Sequence, residues 1–543
     1  MPTQLISTRN EPKVESGGET MGRNSLMTTT WFVGALAATA ITAGNSARAA
    51  DCAEMGGEGE KCLAIASALE PGSLFVIRDG DDGNTLVNWS INEPLVDRDA
   101  SGALVPVLAA ELPVADAKDP TIWHVKLREG IKFTNGEPFN AAAVKHNIDL
   151  VANPEFGASI NGIETLKTAN VIDDHTLDIV TKEPDPWLLY RISTLRFVPP
   201  EASKDATAYS QHPIGTGPYK FVRWDKGQRI ILEKNADYWG GDKAELDRVS
   251  FVFIPEAATR ISALKAGEVD MVSSLTPEDA VKVPKVITSS NAANGTYLRF
   301  NVETPPYDNK AFRQALIYAI NRDALNEYLW AKQGSVEACQ TLPPGEVGFN
   351  KSLQAYPYDP EKAKQLLAQV NLPEDFVVRA VFTTGGYLPK DSETGQAIAA
   401  DWEAIGLKTK IEYVSSDKWL DDILAGGEKT KPDSPAPMTY VQLDYHSMYA
   451  ARITSRIFSR TNKMSGLGTK YPELDPALAT AQGSFDVPKA TAAFEQVYKI
   501  GCDEALYIPL IDYPDIWGAV ESVNYEAGPG VITRIHLDRV HVD

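Results

Sequence analysis

Apolar and polar positions along this chain follow two periods in turn. One is close to two residues, as in strands, and the other close to 3.6, as in helices. Trp123–Leu127, WHVKL, alternates and reads as a strand. A tight turn at Arg128-Glu129-Gly130, Phe133 and a second turn at Asn135-Gly136 follow it. Ala141–Val151 then carries the helical period, with Asn140 placed to cap it. Leu74–Arg78 reads as a first strand and Met438–Leu443 as a later one. Tyr219–Trp224 and Arg229–Lys234, joined through Asp225-Lys226-Gly227-Gln228, predict a hairpin. Further helices are predicted over Ala257–Ala266, stopped by Gly267, and over Asn309–Ile320, with Phe312, Ala315, Leu316 and Ala319 on one face. Pro360–Val370, Glu393–Ile405 (stopped by Gly406) and Val487–Gly501 complete the set. Strands and helices alternating in this way predict an α/β chain.

A length of 543 residues is enough for two or three domains. The formal net charge of −21 argues against nucleic acid or an anionic membrane surface as partner. It leaves the sign of a small ligand open, because a pocket has its own local charge.

The N-terminus reads as an export signal. Arg23 supplies positive charge, Thr30–Ile41 is an apolar run, and Ala47-Arg48-Ala49 is an Ala-x-Ala cleavage pattern, with the cut after Ala49. The run is short for a membrane span. Asp51 precedes Cys52, so the small-residue box of a lipoprotein is absent. Residues 1–20 are polar and fit no signal, which makes Met21 a candidate start. The expectation is a periplasmic protein released by cleavage. In that oxidising compartment Cys52, Cys62, Cys339 and Cys502 are expected as disulfides. Cys52 with Cys62 closes a short loop and leaves Cys339 with Cys502.

Catalytic and metal patterns are weak. Gly215-Thr216-Gly217 lacks the following Gly-Lys-Ser/Thr of a phosphate loop and leads into a strand. His536 and His541 stand at an odd spacing, which on a strand puts them on opposite faces. No G-x-S-x-G elbow or H-E-x-x-H is present. A secreted hydrolase would need paired carboxylates or a nucleophile with its base, and no spacing places such a group. No catalysis, cofactor or metal is expected.

Residues 213–239, PIGTGPYKFVRWDKGQRIILEKNADYW, resemble the signature of the large periplasmic solute-binding proteins of ABC importers, family 5, which carry peptides, nickel and opines. Four further blocks keep that family's order: Trp123–Val144, Ile254–Val272, Leu298–Asp323 and Tyr358–Ala363. The resemblance covers roughly residues 72–543. It implies a two-lobed periplasmic-binding fold with an inserted extra domain. Residues 72–107, 212–290 and 513–543 would form domain I, 108–211 domain II and 291–512 domain III, behind a signal at 1–49. Hinge segments would lie near Ser289–Thr296 and Asp512–Asp515, with the ligand between domains I and III. The implied partners are a small solute (an oligopeptide, opine or sugar conjugate) and the ABC permease, and the implied state is monomeric.

In peptide-binding relatives, the segment corresponding to Thr439–Ser459 carries W-x-x-D-Y-P-D-P, and its first Asp pairs with the ligand ammonium. Here Asp444-Tyr445 keep the core of that pattern, while Val441 replaces the Trp and His446-Ser447-Met448 the P-D-P. Asp444 therefore either meets a ligand cation or caps the following helix. Relatives that bind dipeptides place an Arg before the helix corresponding to Glu393–Ile405. Here Lys390 stands there, a point charge rather than a fork. Tyr440, Tyr445 and His446 beside Asp444, together with Tyr297, Tyr387, Trp89 and Trp517, are the candidate ligand-enclosing side chains.

Overall fold

A computed structural model describes residues 60–543 except 80–81, 100–101, 159–162, 242–243, 290–293, 385–389, 416–417, 420–437, 445–448, 463 and 528–534. The expected export signal and Cys52 lie outside the described residues. Among the described residues no helix is long and apolar enough to cross a membrane.

Among the described residues, three sheets of four or more strands organise the chain, beside two two-stranded ones. The first has seven strands in the order Lys285–Thr288, Ile516–Ala519, Met271–Val272, Cys62–Ser67, Arg248–Phe253, Arg229–Lys234 and Tyr219–Asp225. Cys62–Ser67 runs parallel to both of its neighbours and is buried at every position. A strand covered on both faces has no reason to alternate, so CLAIAS carries no period-two signal. The reading of Leu74–Arg78 as the first strand is wrong for a related reason. Leu74, Phe75 and Ile77 are buried, but the backbone turns, with Arg78 N–H and Asp79 N–H both donating to Phe75 O at 3.0 and 2.9 Å.

The second sheet runs Ser335–Val336, Tyr507–Tyr513, Asn294–Arg299, Met438–Asp444, Val377–Thr383, Lys408–Val414. All six positions of Asn294–Arg299 are buried. The helix Lys310–Ala319 covers the core beneath, capped by Asn309, whose side chain accepts from Ala311 N–H and Phe312 N–H. Arg313 on that helix is fully buried. Its guanidinium donates to the carbonyls of Tyr307, Glu504 and Ala505 at 2.7, 2.7 and 2.9 Å. Arg313, within the block Leu298–Asp323, is thus a clamp between distant chain segments. The helix Val487–Asp503 is tied to this body by the Cys339–Cys502 disulfide, Cα–Cα 5.4 Å. Cys62 is disulfide-bonded too.

The third sheet is small and antiparallel: Val114–Ala115, Ile122–Lys126, Thr176–Thr181, Leu166–Val171. The helix Ala141–Ala152 packs on it, and Asn140 caps that helix by accepting from Ala143 N–H at 3.1 Å.

Candidate functional site

The hairpin Tyr219–Asp225 / Arg229–Lys234 turns at Gly227, which has φ +73°. Ahead of it, Gly215 and Gly217 press backbone on backbone against Ser90–Asn92. Gly217 N–H donates to Ile91 O at 2.8 Å and Tyr219 N–H to Ser90 O at 3.2 Å. A Cβ on Gly215 would stand 1.9 Å from Ile91 O, and one on Gly217 2.5 Å from Ser90 O. Only glycine fits either place. Between them Thr216 Oγ1 donates to the buried Glu93 carboxylate at 2.8 Å. Tyr238 OH and Trp239 Nε1 donate to the same carboxylate, each at 2.7 Å. Glu93 therefore joins G-T-G-P-Y to N-x-x-Y-W. Burial pushes its carboxyl up, and the three donors pull back. In the sequence Glu93 stands only as an acid between Asn92 and Pro94, a signal too weak to mark it.

The chain passes from the first sheet to the second between Thr288 and Asn294 and returns between Tyr513 and Ile516. The two crossings are bonded side by side. Asn294 Nδ2 donates to Asp515 Oδ1 at 3.0 Å, Ser289 N–H to Asp515 O at 3.2 Å, and Asp515 N–H to Ser289 Oγ at 3.2 Å. Gln442 Nε2 donates to Asn294 Oδ1 at 2.7 Å, which fixes the neighbouring strand to the same knot. All of these groups except Gln442 are buried.

Strand carboxyl ends of both sheets lie on the side of these crossings. In the second sheet Thr383, Val414, Asp444 and Tyr513 are the last residues of four strands that run the same way. In the first sheet Ser67, Phe253, Val272 and Thr288 end four strands at the edge facing the crossings. Strand carboxyl ends are where α/β sheets receive ligands. Asp444 closes its strand in register with Asn294, beside the double crossing.

Several contacts join the body built on the second sheet to the bodies built on the first and third sheets. Lys390 Nζ lies 2.8 Å from Glu278 Oε1, so the lysine suggested for a ligand carboxylate has a partner across the divide. Arg98 Nη2 lies 3.1 Å from Glu346 Oε2, both side chains being well covered, and its guanidinium sits over the Tyr190 ring. Trp187 Nε1 donates to Ala481 O at 3.3 Å. Beside these contacts is a cavity of about 430 Å³ whose walls include Trp187, Arg191, Tyr449, Arg452 and Arg456. Tyr449 stacks on Tyr190 and Trp187. It follows residues 445–448, so the cavity adjoins the chain leaving Asp444.

Asp391 opens the helix Asp391–Ala404 at this edge and accepts from Thr383 N–H at 3.0 Å. Burial lifts its carboxyl to about 7.

The candidate side chains are dispersed. Tyr440 is buried with its ring stacked 4.8 Å from Phe382, and Tyr297 is buried edge-on to Tyr507. Both belong to the second body's core. Trp517 belongs to the core of the first sheet. Trp89 lies under the Arg196 guanidinium, 3.3 Å from ring centre to Cζ, at a separate cavity. Tyr387, Tyr445 and His446 lie outside the described residues, and of Asp444 the backbone alone is described.

The sequence profile of the bacterial extracellular solute-binding proteins, family 5 (middle part), matches residues 103–447. The glutathione-binding protein GsiB of Salmonella typhi is 27% identical over 460 residues, 81% of this chain and 87% of its own. The fold is similar to the periplasmic binding protein AgaA of A. tumefaciens R10, solved with agropinic acid, at TM-score 0.73 and 22% identity, over 89% of this chain and 99% of that one. It is also similar to DppA of Helicobacter pylori, solved with the peptide STSA, at TM-score 0.70 and 21% identity, over 89% and 98%. The chain belongs to family 5 of the bacterial extracellular solute-binding proteins.

Proposed function

We propose that this chain is the periplasmic binding component of an ABC importer. It captures a peptide-like or opine-like solute at the carboxyl ends of its two main sheets and hands it to the permease without chemical change. The observation that carries the reading is the double crossing. Two adjacent strands knotted through Asn294, Ser289 and Asp515 form a short bending line on which two rigid bodies can open and close. In this reading domain I takes residues 72–107, 212–290 and 513–543, together with the strand Cys62–Ser67 ahead of them; domain II takes 108–211 and domain III 291–512.

Asp444 is the main charged contact for a ligand ammonium. Its place at the strand end beside the crossing supports this, as does the peptide nature of the glutathione that GsiB is named for. Tyr445, His446 and Tyr387 on the flanking segments enclose the solute. Tyr440, Tyr297 and Trp517 support the walls rather than touch it, as their core packing suggests, and Trp89 stands at the separate cavity under Arg196.

Native mass spectrometry of the purified protein, followed by release of the ligand, tests this. Recovery of an unmodified amine-bearing solute is the expected result. Asp444→Asn should weaken its binding by a few kcal/mol, the usual cost of leaving a buried charge unpaired. Equal binding by Asp444→Asn, or recovery of a cleaved ligand, would count against the reading.

A further inference from the structure

A second cavity is lined by none of the strand ends around Asp444. It occupies about 810 Å³ where the first sheet, the third-sheet body and the C-terminal segment meet. That volume is in the range of small-molecule sites and far above what an inorganic ion needs. Val105, Val107 and Pro218 supply apolar wall.

Most charges in it are already answered. Glu93 takes three donors. Arg196 is paired with Asp97 at 3.0 Å, and Arg98 with Glu346 at 3.1 Å. Asp99 caps a turn by accepting from Ala103 N–H at 3.1 Å. Two guanidiniums are left over. Arg128 and Arg539 line the cavity, and neither forms an ion pair among the described residues. Both are half-buried. Arg128 is also held still: its Nε donates to Val107 O at 2.6 Å and its plane lies over the Trp239 ring, 5.2 Å from the centroid. A guanidinium fixed in this way keeps its outer N–H groups ready for a planar, two-oxygen acceptor. Of the acids that remain, Glu129 is exposed and Asp538 half-buried, 3.9 Å from His536 Nδ1, and they disfavour a group more highly charged than a carboxylate.

We propose that this cavity is a second binding site, which takes a small organic carboxylate between Arg128 and Arg539 with its apolar part against Val105, Val107 and Pro218. The site is independent of the solute cleft, because none of these residues belongs to the strand ends around Asp444.

Saturation-transfer NMR of the full chain with benzoate, and with the uncharged benzamide, tests it. Benzoate should give a saturable signal and benzamide one at least tenfold weaker. Arg539→Gln, a change at a side chain that forms no ion pair among the described residues, should weaken benzoate at least fivefold, and Arg128→Gln/Arg539→Gln should abolish it, whereas Asp444→Asn should leave it unchanged. The proposal is overturned if benzoate does not bind, if benzamide binds equally, if Arg539→Gln with an unaltered thermal midpoint binds benzoate as well as the parent, or if Asp444→Asn abolishes the signal.

Discussion

Glu93 offers the most direct trial of how the signature motif works. In Glu93→Ala, Thr216 Oγ1, Tyr238 OH and Trp239 Nε1 all lose their acceptor. Hydrogen bonds to an ionised group contribute roughly 1.5–3 kcal/mol each, and a stranded buried donor costs about 1–3 kcal/mol. Thr216 is 1% exposed and stays stranded, while Tyr238 and Trp239, half-buried at the cavity wall, can turn to water. Removing the carboxylate also relieves the cost of burying it. The net expectation is a loss of about 3–5 kcal/mol. Glu93→Gln behaves differently. Its amide oxygen can stay at the position that serves Thr216 and Trp239, while its N–H₂ faces a tyrosine hydroxyl that can reverse and accept. The loss should be about 1 kcal/mol or less. Burial raises the Glu93 carboxyl, so its contribution is fully present below the unfolded value of about 4.3 and fades as pH rises through the folded one. The gap between parent and Glu93→Gln should accordingly narrow with rising pH. Urea titrations followed by tryptophan fluorescence, with hydrogen exchange over residues 88–93 and 215–240, measure both effects. If Glu93→Ala costs under 1 kcal/mol, or Glu93→Gln costs as much as Glu93→Ala, Glu93 is not the joint between the two motifs.

Gly215→Ala should destabilise at least as much as Glu93→Ala, because the new methyl meets the fixed Ile91 carbonyl at 1.9 Å; loss of soluble protein or a sharply lowered thermal midpoint is the readout, and a stable variant contradicts it. Asp391, lifted to about 7 from an unfolded value of about 3.9, favours the fold below that lower value and loses this contribution as pH climbs through 7. The parent should therefore lose stability between pH 4 and 8 relative to Asp391→Asn in thermal scans, and a constant difference would refute it. Serine at both Cys339 and Cys502, which are 163 positions apart, should cost about 2–5 kcal/mol in urea. Lys390→Met removes a partly exposed pair across the two bodies, so solute affinity measured by calorimetry should fall no more than about fivefold, the equivalent of 1 kcal/mol.

Periodic and capped elements were legible in the sequence because their signals are local. Asn140, Asn309, Gly267 and Gly406 mark helix ends within a residue or two of where they fall. The strand Cys62–Ser67 was missed because burial on both faces erases alternation. The family blocks could be recognised while their physical cause could not. Glu93 and Thr216 meet across 123 positions, and Arg313 reaches Ala505 across 192, separations at which a single sequence shows no pairing. Aromatic residues were the weakest guide to the site: Tyr297, Tyr440 and Trp517 look as able to stack on a solute as on their neighbours, and packing alone distinguishes the two uses.

The strand Ile516–Ala519 lies inside the first sheet, between Lys285–Thr288 and Met271–Val272. A chain emerging N-terminus first therefore cannot complete the sheet that it begins at Cys62 until residue 519 has been delivered. The second body, whose strands run from Asn294 to Tyr513, is closed in sequence and can condense earlier. Until residue 519 arrives, the strand Met271–Val272 presents an unpaired edge, the kind of surface on which nascent chains associate wrongly. The segment Ile516–Ala519 thus acts as the closing stave of the sheet begun at Cys62, and a chain cut short before it would carry an intact second body beside an open, aggregation-prone first one.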